Sequence, residues 1–297
     1  MTNRVASIFA EEVNKYEKSR KKSASSESKW MDDMIKAGTF SDKVAALALR
    51  VQESPVHQLD TLDALIHLAD KSEQRAANTV LEAIKDLFTH NLLPDRHLVP
   101  FTQRQLGAKN LTMEKALIYY FEDQLLIRVH RVVNALEKGL KSTLEHFKKQ
   151  CMEMVMAMLA SKPEQEKRLL SLLVSKISDQ TGNVTSKCIE LLKSLMKKHP
   201  AMKRVVIREV HDLIFRDTAS TRTVYSGIVF LSQVPLNDKE SSVAALLVEG
   251  FIVIFEKAVS KEDMRARLMS ALLTGINKAF PFLKDASGPG EPHRRAL

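Results

Sequence analysis

The chain has 297 residues, 44% of them apolar, 27% charged and only 6% aromatic, with nine glycines and nine prolines. That supplies a sizeable core but too few aromatic and turn residues for a sheet-rich fold, so the composition predicts helix. Lysine and arginine number 45 against 36 aspartates and glutamates, a formal charge of +9 that favours polyanionic or acidic partners. Two cysteines, Cys151 and Cys188, exclude a disulfide framework. The start, Met1-Thr2-Asn3-Arg4, turns charged by Glu11 and reads without a secretory signal. No apolar run approaches the ~18 residues of a membrane span, so an intracellular protein with no membrane partner is expected.

In chain order, residues 1–28 read as a flexible basic segment, a frayed helix leading into a serine-rich stretch. Within it Lys18-Ser19-Arg20-Lys21-Lys22 fits a nuclear localisation signal, and equally a solvated charge run. Helical patterns follow from Trp30. Ser41 or Asp42 is expected to cap a helix carrying Val44, Ala45, Leu47, Ala48 and Val51, and Ser54-Pro55 to open the next. The stripe of that next helix is Leu59, Leu62, Leu65, Ile66 and Ala69. A third helix runs through Val80, Leu81, Ile84, Leu87 and Phe88, and the stretch from Pro94 to Asn110 is a long irregular connection. Two long helical patterns occupy roughly 112–138 and 140–161.

The second half is more regular. Leu169, Leu170, Leu173 and Ile177 form one apolar stripe, and Val184, Cys188, Leu191, Leu192 and Leu195 the next. Met202, Val206, Val210, Leu213 and Ile214 form a third, and only short turns separate them. Pro163, Pro200 and Pro235 fall at helix starts or turns, roughly 35–37 residues apart, which is the period of a HEAT-type helix pair. Within Ile177–Lys187 an aspartate in the turn, an apolar residue five later and a base three after that complete the HEAT pattern. There Asp179 is placed to cap the second helix and to pair with the lysine of a stacked neighbour, while Val184 enters the core. The expected architecture is all-α: a HEAT/armadillo-like α-solenoid, a right-handed superhelix of antiparallel helix pairs. It would cover residues 29–283, with a disordered tail over 284–297.

Catalytic and cofactor chemistry finds no support. Glycines do not cluster into a phosphate loop, there is no His-Glu-x-x-His or Cys-x-x-Cys, and the nine histidines are scattered. Met152, Met154, Met156 and Met158 alternate, which spreads them around a helix, so they read as core packing and not a soft-metal site. Cys151 and Cys188 read as buried thiols. The expectation is a protein that is not an enzyme and takes no cofactor, metal or small-molecule substrate. The feature that carries binding is a basic cluster, Lys193, Lys197, Lys198, His199, Lys203 and Arg204, around one inter-helix turn, with Arg208 one turn on. In a solenoid such turns align as a ridge, so these cations are candidates for phosphates or an acidic partner. The same lysines also complement a helix dipole. Little aromatic residue is interleaved, which argues against stacking on single strands, and no recognition helix, zinc finger or basic zipper is evident.

Several stretches resemble the CCAAT/enhancer-binding protein zeta and nucleolar complex protein family, also called CCAAT-binding factor homologues. They are Trp30 with Gly38-Thr39-Phe40-Ser41-Asp42-Lys43-Val44-Ala45-Ala46, then Ser54-Pro55-Val56-His57, Leu92-Leu93-Pro94-Asp95 and Tyr120-Phe121-Glu122-Asp123-Gln124-Leu125. Lys162-Pro163-Glu164, Lys198-His199-Pro200-Ala201-Met202-Lys203 and the segment from Met269 to Ala279 follow in the same order. The resemblance implies a nuclear and nucleolar factor in assembly of the large ribosomal subunit. It would be a scaffold that binds other nucleolar complex proteins and pre-ribosomal RNA. The alternative it implies is a transcriptional regulator acting at CCAAT-box promoters. Family members continue as a longer solenoid, whereas this chain turns into Asp285-Ala286-Ser287-Gly288-Pro289-Gly290, so an N-terminal portion of such a protein is expected.

Overall fold

The computed structural model describes residues 2–22, 26–71, 73–104, 112–260 and 266–283. Among these there is no strand. The chain forms α1 (Thr2–Lys22), α2 (Ser26–Ala37), α3 (Phe40–Glu53), α4 (Leu59–Lys71), α5 (Gln74–Asp86), α6 (Met113–Leu140) and α7 (Glu145–Ser161). It continues through α8 (Glu166–Val174), α9 (Gly182–Lys198), α10 (Lys203–Ile214), α11 (Thr221–Ser232), α12 (Ser241–Ser260) and α13 (Ala266–Ala279). These helices divide into two units, Met1–Leu169 and Leu170–Leu297, with the boundary inside α8. The tail expected over 284–297 lies outside the described residues.

One packing rule runs through the first unit. From α3 to α7 each helix packs on its successor and on the helix after that: α3 on α4 and α5, α4 on α5 and α6, α5 on α6 and α7. Contact with the next helix closes a pair, and contact with the next but one stacks equivalent helices of successive pairs, which is how a helical repeat buries its core. The stripe read on α4 is the buried one: Leu59, Leu62, Leu65, Ile66 and Ala69 are all 9% exposed or less. Helix α7 is buried nearly all round, and Met152, Met154, Met156 and Met158 fill its surroundings as packing side chains.

Three local expectations change. The cap of α3 is Thr39, not Ser41 or Asp42. Its hydroxyl accepts the Asp42 N–H at 3.3 Å while the Asp42 carboxylate accepts the Thr39 N–H at 3.1 Å, so Asp42 is the returning half of a capping box. Ser54-Pro55 closes a turn and does not start a helix. The His57 N–H reaches the Ser54 carbonyl at 3.2 Å, the His57 ring meets the Ser54 hydroxyl at 2.8 Å, and α4 begins only at Leu59. Packing also begins well before residue 29. Helix α1 lies on α6, with Val5 1% exposed and Phe9 9% exposed, the latter 5.3 Å from the Tyr120 ring. Val5, Phe9, Val13 and Tyr16 recur at helical spacing and make a stripe, although most of this helix is polar. Tyr16 stacks on His57 at 4.3 Å. Of the basic run, Arg20 turns inward to Ser28 and Asp32, whereas Lys18, Lys21 and Lys22 are exposed.

Helix α5 ends in a π-helical turn over Leu87–Leu92, and the connection that follows is tied down as far as it is described. Glu122 of α6, 7% exposed, receives Arg96 and Arg104, each at 2.5 Å. Asp123 accepts the Phe101 N–H at 2.9 Å. From the end of α7, Lys162 pairs with Asp95 at 2.7 Å and Glu164 accepts the Leu98 N–H at 3.0 Å.

In the second unit α10 packs on α11 and α12, and α13 packs on α11 and α12. The stripe Val184, Cys188, Leu191, Leu192 and Leu195 is the buried face of α9. Asp179 does not cap α9, whose N-cap is Thr181 without a side-chain capping bond; it accepts the Thr181 N–H at 3.0 Å in the turn ahead of the helix and pairs with Lys176 of its own turn at 3.9 Å. Helices approach closely at glycines. A methyl group on Gly250 would stand 2.3 Å from His211 Nε2, and one on Gly275 would stand 2.5 Å from the Phe251 ring.

Candidate functional site

Helix α9 ends at Lys198, and His199-Pro200 turns the chain because proline supplies no N–H and holds the φ of a short 3-10 turn over Pro200–Met202. Helix α10 then opens at Lys203. The six cations singled out in the sequence therefore sit at one end of this helix pair, and they do different things. Lys197, Lys198, Arg204 and Arg208 are exposed. Lys193 is half-buried, and its ammonium donates to the Gln233 side chain.

Lys203 departs from the expectation. It is 4% exposed, and Nζ lies 2.8 Å from both carboxylate oxygens of Glu240 and 3.0 Å from the Pro235 carbonyl. Its charge is spent inside the protein, so it is a structural tie and not a contact residue. Burying an ammonium is tolerable only with this kind of full pairing. Glu240 is fixed in turn by accepting the Asn237 N–H at 3.1 Å.

These bonds place three helix ends side by side. Lys193 with Gln233, and Lys203 with Pro235 and Glu240, join the α9–α10 turn to the α11–α12 turn. Lys278, near the end of α13, donates to the Ser232 carbonyl at 3.2 Å. One edge of the second unit thus carries Lys197, Lys198 and Arg204 together with two lysines that the sequence reading passed over, Lys239 and Lys278, both exposed. Lys239 follows Lys203 by roughly one repeat period, which was the available signal. An edge of flexible ammonium groups on aligned turns can follow a chain of phosphates or carboxylates without reading its sequence.

Cys151 and Cys188 are buried, and desolvation pushes the Cys151 thiol up to about 12 and Cys188 higher still, so neither is a nucleophile near neutral pH. Cys188 Sγ lies 3.1 Å from the Leu173 carbonyl. Among the described residues no group of histidine, cysteine and carboxylate side chains is arranged to hold a metal, and no helix is long and apolar enough to cross a membrane.

No family model matches the chain. Curated proteins do. CCAAT/enhancer-binding protein zeta of Homo sapiens is 33% identical over 93% of this chain and 27% of its own length. Ribosome biogenesis protein NOC1 of Chaetomium thermophilum is 29% identical over 98% of this chain and 33% of its own. Nucleolar complex protein 1 of Drosophila melanogaster is 29% identical over 88% of this chain and 23% of its own. The chain therefore spans about a quarter to a third of the length of the curated relatives it matches. Among solved structures a designed armadillo repeat protein aligns with a TM-score of 0.34 and 12% identity over 84% of this chain and 98% of that one. The fold assignment rests on the helix packing itself. Over nearly all of its length the chain is homologous to one segment of the CCAAT/enhancer-binding protein zeta and nucleolar complex protein 1 family.

Proposed function

We propose that this chain is a non-catalytic helical scaffold acting in the nucleolus, in assembly of the large ribosomal subunit. In this reading it binds other nucleolar complex proteins on its helical faces and pre-ribosomal RNA along the basic edge of the second unit. The observation that carries the reading is similarity across about nine-tenths of the chain to proteins named for ribosome biogenesis and the nucleolar complex. The alignment of Lys197, Lys198, Arg204, Lys239 and Lys278 on one edge supports the RNA part, because phosphate contacts position a partner and need no base-reading element. Lys203 with Glu240 holds two of those turns in register and so sets the spacing of the cations.

The test has two arms. Tagged chain expressed in cells should co-sediment with large-subunit precursors and recover nucleolar proteins; absence from those particles at low salt sinks the reading. In the second arm, purified chain should bind structured RNA with little sequence preference and steep salt dependence. The triple variant Lys197→Glu, Lys198→Glu, Arg204→Glu should flatten that dependence by roughly 0.7–0.9 in slope per lost contact. An unchanged slope removes this edge from the interface.

The name of the human relative favours a second reading, action at CCAAT promoters. It requires preference for a CCAAT duplex over a scrambled one, and a competition assay with the two duplexes decides between them.

A further inference from the structure

Helix α12 carries two apolar faces and buries one. On the inner face Gly250 meets His211 of α10 and Phe251 meets Gly275 of α13, beside the buried Leu247 and Ile254. Ala245, Val248, Ile252 and Phe255 recur at helical steps on the opposite side, about 140–220° round the helix from Gly250. Ile252 and Phe255 are each 37% exposed. Helix α13 repeats the pattern. Its inner side is fixed by Gly275 against Phe251 and by Lys278 on the Ser232 carbonyl of α11. Leu273, Ile276 and Phe280, the last just past the helix end, lie about 100° or more from both. Leu273 is 51% exposed and Phe280 64%. Because α12 packs on α13, the two stripes stand side by side on the face of this helix pair turned away from α10 and α11.

A helical repeat that ends in solvent ordinarily carries a polar outer face, and this one is apolar. The spacing is that of a helix-bundle seam, so the cover it fits is helical. Glu249 and Glu256, exposed along the flank of α12, oppose an anionic lipid surface. Side by side the two helices offer a face of roughly 30 by 20 Å, about 600 Å² before side-chain relief is counted, which approaches the ~800 Å² per partner of a specific interface. We propose that this face is an isologous dimer interface: a second copy of the chain lays the same two stripes over it across a two-fold axis and closes a four-helix bundle. One copy supplies both surfaces, so the stripes match in length and spacing without a further partner. The proposal does not depend on RNA binding at the basic edge.

The test is sedimentation equilibrium of the full chain freed of nucleic acid. A reversible monomer–dimer equilibrium is expected with Kd on the order of 1–100 μM. An apolar seam should hold within about threefold between ~0.15 and ~1 M sodium chloride. Hydrogen exchange over 245–256 and 269–280 should slow as concentration rises, with α3 to α7 unchanged. Ile252→Glu with Leu273→Glu should weaken the dimer at least about a hundredfold, because the two-fold puts each carboxylate into the seam twice. Both positions are exposed, so the circular dichroism and urea midpoint of the monomer should stay as they are. Phe280→Ser, outside both helices, should weaken the dimer about tenfold. Ile127→Glu, at an exposed apolar position of α6, should leave it unchanged. A monomer at about 0.5 mM, growth beyond the dimer, dissociation by salt, insensitivity to both the double variant and Phe280→Ser, or equal loss in Ile127→Glu overturns the proposal.

Discussion

The two units obey the same repeat logic and are fastened by the same two means in different proportion. In the first, acid–base pairs join positions far apart in sequence: Asp63 with Arg128 and Arg131, Asp32 with Arg20 and Arg50, Glu122 with Arg96 and Arg104. In the second, beside the buried pair Lys203 with Glu240, helices close directly on each other at Gly227 against Ile214, Gly250 against His211 and Gly275 against Phe251, where the first unit has Gly139 against Cys151. The difference follows from the connections. A long irregular segment such as 94–104 leaves backbone N–H groups that need acceptors, and the carboxylates of Asp123 and Glu164 supply them. Short turns leave few such groups, so steric fit carries more of the load there, with the Lys203–Glu240 pair tying two of the turns. Ion pairs tolerate some movement of the chain; a missing methyl group does not.

The largest effect is expected from removing the central carboxylate of the first unit. Glu122→Ala leaves the half-buried Arg104, whose side chain is 17% exposed, with the Tyr119 ring but without its carboxylate. Breaking such a pair costs about 3–5 kcal/mol, to be read from urea unfolding. Hydrogen exchange should accelerate in 94–104 and along α6, while α10 to α13 keep their protection. A loss below about 1 kcal/mol would mean that the carboxylate cluster does not fasten this unit.

The matching test in the second unit is Gly250→Val. The added atoms collide with the His211 ring and should cost about 1–3 kcal/mol. His211→Ala makes room at the same crossing, so the double variant should be less destabilised than the sum of the singles. Additive costs would show that the two residues do not share one seat.

Acid should separate the units as well. His211 is 7% exposed, its Nε2 has no hydrogen-bond partner among the described residues, and burial pulls its pKa from the ordinary 6.5 down to about 4, with Asp212 opposing. The folded form therefore holds the ring neutral where the unfolded chain takes up a proton. Its contribution is fully present above about pH 6.5 and is lost as pH falls towards 4, at about 1.4 kcal/mol per unit. Between pH 7 and 5 a loss of about 2 kcal/mol is expected, with opening of α10–α12 detected by exchange. His211→Phe should remove most of that slope, and a slope that survives it would assign the acid sensitivity elsewhere.

What the sequence disclosed is divided along the same line. Apolar period alone located the buried faces of α4 and α9, because 3.6-residue spacing and burial are the same fact seen twice. It also placed Lys197, Lys198 and Arg204 on an inter-helix turn. It did not disclose that Lys203, in the same basic run, is buried, since only Glu240 a repeat away decides that. Leu92-Leu93-Pro94-Asp95, Glu122-Asp123 and Lys162-Pro163-Glu164 stand apart in the chain, and folding brings them together around 94–104. Their residue types are legible as acids and bases; their pairing is a property of the stacked helices. Helix α1 shows the converse. Its stripe Val5, Phe9, Val13 and Tyr16 is readable, but a stripe that thin in so polar a segment does not say whether it finds a surface, and the Tyr120 ring provides one.

The smallest effect tests the finest detail of the first unit, the start of α3. If Thr39 is the cap, Thr39→Ala should cost about 1 kcal/mol, because the Asp42 N–H loses its acceptor at the helix N-terminus. Ser41→Ala, at an exposed position inside the first turn, should stay within about 0.5 kcal/mol. Both hydrogen bonds to Thr39 hold the Asp42 carboxyl below its ordinary range, the side-chain bond being the stronger cause. A carboxylate shifted that way supports the fold above its ordinary pKa, and the support fades as acid protonates it. Thr39→Ala should accordingly move the Asp42 carbon resonance titration upwards, and Ser41→Ala should leave it in place. Reversal of the two effects would return the cap to Ser41 and make the Thr39–Asp42 box incidental to where this helix begins.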